Sequence, residues 1–80
     1  MKTSRRRLAK TPTAEMVHVI DIHNVTDYNL QEKLEDGAAE ENGSYTFDRS
    51  RSSYTFWFYK LDEAERFLLF VKSLGIKVWD

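Results

Sequence analysis

Two histidines, thirteen carboxylates and no cysteine are the groups from which this 80-residue chain would have to build catalysis or a metal site. His18 and His23 are separated by an odd number of positions. On a strand that spacing points their rings to opposite faces, so they cannot chelate one metal ion there. Asp21 shares a face with His23, but a His–Asp pair with no cysteine or well-placed serine falls short of a triad. The three glycines are scattered, which leaves no phosphate-cradling loop. A domain this small also has little room for an enclosed pocket. The sequence therefore argues against an enzyme, and no cofactor, metal ion or small-molecule substrate is expected.

What remains is binding chemistry, and it is unevenly distributed. The chain carries 12 Lys and Arg against 13 Asp and Glu. Residues 1–15 hold five of the basic side chains, Lys2, Arg5, Arg6, Arg7 and Lys10, against Glu15 alone, a net of +4. Residues 16–80 hold seven basic and twelve acidic side chains, a net of −5. Glu32, Glu35, Asp36, Glu40 and Glu41 concentrate that acidity, opposed by Lys33, and form a contact surface suited to a basic partner. Arg5, Arg6, Arg7 and Lys10, with Arg49 and Arg51 further on, are the candidates for a phosphate backbone.

The positioning elements follow from hydrophobic period. Residues 1–14 show none and read as a flexible basic arm; residues 15–80 form a single domain. The N-terminus lacks the apolar stretch of a secretory signal. With no cysteine as well, a cytoplasmic location and no membrane association are expected. Val17–Ile22 is β-branched and reads as a strand. Asn24, Thr26 and Asp27 are cap candidates for a helix over about Tyr28–Glu41, with Leu30, Leu34 and Ala38 on one face. Gly37 and the terminal acids Glu40 and Glu41 predict fraying after Leu34 or Ala38. Asn42-Gly43 signals a turn. Ser44–Asp48 and Ser53–Tyr59 alternate as strands around the connection Arg49-Ser50-Arg51-Ser52. Asp62 is the cap candidate for a second helix, Glu63–Ser73, with an apolar stripe of Ala64, Phe67, Phe70, Val71 and Leu74. Gly75 suits its C-terminal stop. Ile76–Trp79 reads as a closing strand.

The resulting order, β-α-β-β-α-β, implies a ferredoxin-like α+β sandwich. Four antiparallel strands in order 4-1-3-2 would carry two helices on one face. Tyr54, Phe56 and Phe58 then point inward with Tyr45 and Phe47, while Trp57, Tyr59, Lys77 and Trp79 fall on the bare face. The first strand admits either Val17, Val19 and Asp21 or His18, Ile20 and Ile22 as its inward set. This element order resembles that of RNA recognition modules. Arg51–Phe58 shares their leading Arg and closing Phe, but it lacks their glycine and has Ser53 and Thr55 at two aromatic positions. The resemblance covers element order and little of the chemistry.

The sequence thus points to a small non-enzymatic interaction protein of regulator or inhibitor type. Its expected partner is a protein or a second copy of itself, held by the aromatic open face (Trp57, Tyr59, Lys77, Trp79) or by an edge strand. The alternative is a single-stranded nucleic-acid module using the same face plus the basic arm.

Overall fold

A computed structural model of the chain describes residues 12–76. The element order is β1 (His18–Ile22), α1 (Tyr28–Glu40), β2 (Ser44–Asp48), β3 (Ser53–Phe58) and α2 (Leu61–Ser73). The α+β class stands, but the sheet has three strands, in the order β1-β3-β2, and not four. Both pairings are antiparallel. The expected fourth strand is corrected at its first residue. Gly75 leaves α2 at φ 83, and Ile76 then packs against the core instead of pairing with a strand among the described residues. Lys77 and Trp79 lie outside the described residues, as does most of the arm. β3 is the central strand, and β1, expected in the interior of the sheet, lies on its outside among these residues.

The core follows from alternation. Tyr54, Phe56 and Phe58 of β3 are buried, with at most 1% of their surface exposed. They meet Leu34 and Ala38 of α1 and Ala64, Phe67 and Val71 of α2 in one cluster, so both helices cover the same sheet face. Ile20 lies opposite Phe56 in register and Ile22 opposite Tyr54. That settles β1: His18, Ile20 and Ile22 face the helices, whereas Val17, Val19 and Asp21 face away. Aromatic rings dominate the packing. Phe67 lies 4.6 Å from Phe56 and 5.2 Å from Phe58, centroid to centroid.

Asp27 caps α1, its Oδ1 accepting from the Asn29 N–H at 2.8 Å. The predicted fraying does not occur, and Gly37 explains why. A Cβ at this position would lie 2.6 Å from Cε2 of Phe70, so the missing side chain lets the α2 ring close on α1. The far end of α1 stops in a Schellman motif. Asn42, at φ 62, donates to the Ala39 carbonyl at 3.0 Å, and Gly43 donates to that of Ala38 at 2.8 Å. Carbonyls that the acidic residues could not have satisfied are thereby bonded. α2 begins two residues earlier than the sequence suggests. Lys60, not Asp62, is the cap residue, and its N–H donates to Oε1 of Glu63 at 3.2 Å. Asp62 sits in the first turn, where its charge suits the helix dipole.

Candidate functional site

Strand alternation puts Trp57 on the face opposite the helices, between Val19 of β1 and Ser44 of β2 in register. Trp57 and Tyr59 are half-buried. Ser44 is fully buried, while Val19 is 49% exposed and Val17 66%. At this end of the open face the outward pair Val19 and Trp57 is apolar, while Val17 lies just ahead of β1 and Tyr59 just past β3, each one residue outside the strand expected to include it. Towards the other end the outward positions are polar: Asp21, Thr55, Thr46, Ser53 and Asp48, with Asp21 beside Thr55 and Asp48 beside Ser53.

The β2–β3 hairpin closes at that polar end without a glycine. Oδ1 of Asp48 accepts from the Ser50 N–H at 3.0 Å and from its hydroxyl at 2.7 Å. The Arg51 N–H donates to the Asp48 carbonyl at 3.2 Å, and Ser52 takes φ 53. The Ser50 hydroxyl, reinforced by the Ser50 and Arg51 N–H groups and the Arg51 charge, holds the Asp48 carboxyl below its ordinary value. Arg49 and Arg51 are exposed at this tip. Arg49 and Arg51 lie in the turn before β3, and from Ser53 to Trp57 the strand runs four steps, about 13 Å, with the two aspartates beside that stretch. The structure therefore does not gather Arg49 and Arg51 with the aromatic end. Arg5, Arg6, Arg7 and Lys10 lie outside the described residues.

The acidic set on α1 divides. Glu35 turns towards the sheet and its Oε2 accepts from the buried Tyr54 hydroxyl, so it is no surface contact. Glu32 is exposed on the helix. Asp36, Glu40 and Glu41 line a groove of about 530 Å³ between the helices, together with Lys33. Phe70 of α2 and Leu74, the residue that caps its C-terminus, supply its apolar wall. Oε1 of Glu41 accepts from Nε of Arg66 at 2.9 Å, and the same guanidinium reaches Asp62 at 3.4 Å. Glu41 first, and Asp62 second, push the Arg66 proton affinity above its already high ordinary value.

His23 Nδ1 lies 3.4 Å from the Ser53 hydroxyl in an exposed position. Among the described residues, no group of three His, Asp or Glu side chains is arranged to hold a metal ion. No helix among them is long and apolar enough to cross a membrane. Sequence reasoning missed the exposure of Val17 and Val19 and the groove wall formed by Phe70 and Leu74. The first was present as one of two readings of β1; the second was hidden inside what looked like an ordinary apolar stripe. Comparison with known proteins gave no match to a family model, to a curated protein or to a solved structure.

Proposed function

We propose that the protein is a small non-enzymatic binding protein that engages a protein partner through the Val17, Val19, Trp57 and Tyr59 end of its open sheet face. The observation that carries this reading is the register. Val19, half exposed, lies directly opposite Trp57 on a face that the helices leave bare. Tryptophan and tyrosine are the side chains on which interface energy most often concentrates. Among the described residues β1 is an outer strand, which adds a means of pairing with an incoming strand. A second copy of the chain is the simplest such partner. Occupation of that partner, not chemistry performed on it, would be the regulatory act. A cysteine-free chain suits a reducing cytoplasm, the compartment we assign to it.

Nucleic-acid binding is the weaker reading, because Asp21 and Asp48 share the face that phosphates would approach. The test is association of the full chain by sedimentation, followed by titration against the partner it captures. Trp57→Ala is expected to weaken binding by about 2 kcal/mol, roughly thirtyfold, and Val19→Asp by at least as much. If both variants self-associate and bind as the parent does, the reading is wrong. Salt-sensitive binding to single-stranded RNA, unaffected by Val19→Asp, would replace it with the nucleic-acid alternative.

A further inference from the structure

The turn between α1 and β2 is built from two residues that the fold selects for separate reasons. Asn42, at φ 62, takes the left-handed conformation, which asparagine tolerates better than most side chains. Gly43 is required for space, since a Cβ there would lie 2.5 Å from the Phe58 ring and 2.9 Å from the Trp57 carbonyl oxygen. Together they form a chemically labile pair. The backbone nitrogen that follows an asparagine can attack the asparagine side-chain amide, and glycine shields that nitrogen least because it has no side chain. The chain's other asparagines, Asn24 and Asn29, precede Val25 and Leu30, whose branched side chains obstruct the same attack.

The folded turn opposes the reaction in two ways. The Gly43 N–H donates to the Ala38 carbonyl at 2.8 Å, so the nucleophilic nitrogen is engaged and its proton faces an acceptor too weak to remove it. Gly43 is also buried against Phe58, and its nitrogen cannot swing towards the Asn42 side chain without leaving that contact. Asn42 itself is exposed, so water, the other reagent, is at hand. We propose that Asn42 is a site of spontaneous deamidation gated by the fold, and that the reaction marks chains whose α1–β2 turn has opened. In the open turn the Gly43 nitrogen loses its proton to solvent and bonds to Cγ of Asn42. The Cγ–Nδ2 bond breaks, and ammonia leaves with a proton taken from solvent. Water then opens the resulting succinimide at one of its two carbonyls, leaving aspartate or isoaspartate at position 42. Isoaspartate carries the main chain through Cβ and Cγ, one methylene longer than before. Gly43 then cannot reach the Ala38 carbonyl and the Phe58 ring together, so the opened turn does not re-form.

Timed incubation of the full chain at mildly alkaline pH, native and unfolded in guanidinium chloride, tests the gate, with the product mapped by peptide mass spectrometry. Deamidation at Asn42 is expected to be at least about tenfold slower in the native chain, a ratio set by the population of the open turn. A smaller ratio overturns the proposal. The isoaspartyl chain, separated by chromatography, is then returned to native buffer beside the variant Asn42→Asp, which carries the new charge on a main chain of unchanged length. The isoaspartyl chain is expected to lose the near-UV circular dichroism of packed aromatic rings, and Asn42→Asp to keep it. Refolding of the isoaspartyl chain to the parent signal, or equal loss in both, overturns the irreversible mark.

Discussion

The two faces of β3 are built from neighbouring residues and obey opposite rules. Tyr54, Phe56 and Phe58 meet helices on one side and are sealed from water. Ser53, Thr55 and Trp57, alternating with them, are each only half-buried. The covered face draws its stability from closely packed rings, and its demands extend to absent atoms, as Gly37 and Gly43 show. The open face imposes few such demands, so its composition is left to follow from what it meets. A tryptophan beside an exposed valine on such a face is therefore more informative about partners than three phenylalanines in the core.

The sharpest way to break this contrast is to substitute adjacent residues. Phe56→Ala should destabilise the fold by about 3–5 kcal/mol, enough to leave a domain of this size largely unfolded, as followed by urea denaturation. Thr55→Ala, one position away on the other face, should cost about 1 kcal/mol or less in the same assay. Next in size is Gly37→Ala. Alanine raises helix propensity by about 1 kcal/mol, but its Cβ would meet the Phe70 ring at 2.6 Å. Overpacking of that kind costs about 1–3 kcal/mol, so the net change should be destabilising. In a Phe70→Ala background the sign should reverse, and a double-mutant cycle reads the difference directly.

The smallest effect belongs to the hairpin tip of the open face. Because the Ser50 hydroxyl lowers the Asp48 pKa below its unfolded value, this bond stabilises the fold at pH above the unfolded value. The contribution is lost as pH falls through the lowered, folded-state value. Ser50→Ala should raise the Asp48 pKa and move that loss to higher pH, detectable by NMR titration of the carboxylate.

Much of the covered face could be read from the sequence, because its signals are local. Leu34 and Ala38 recur at helical spacing, Tyr54, Phe56 and Phe58 at strand spacing, and Asp27 and Gly75 punctuate as caps and stops do. The first departures arise where tertiary contacts decide. Ile76, the first residue of the expected closing strand, is strand-like in type, yet it packs against the core and joins no strand among the described residues. Gly37 looked like a weakness in α1 because the ring that fills its space comes from a residue 33 positions away. Glu35 looked solvated because its partner, the Tyr54 hydroxyl, lies on another element. On the candidate face, the outward position of Trp57 followed from alternation alone, whereas Tyr59 lies just past the end of β3. The valines beside them needed the β1 register, which no local pattern specifies.

That register also carries a consequence for assembly. β2 and β3 are joined by the four residues between Asp48 and Ser53, whereas 31 residues separate Ile22 from its partner Tyr54. Closing the longer loop costs about 2 kcal/mol more in chain entropy. The Val25 N–H, bonded to the Ser52 carbonyl at 2.8 Å, fastens the exit of β1 to the hairpin once the two have met. β1 is thus the strand whose pairing carries the heavier entropic burden, and among the described residues it lies at the margin of the folding order as well as of the sheet.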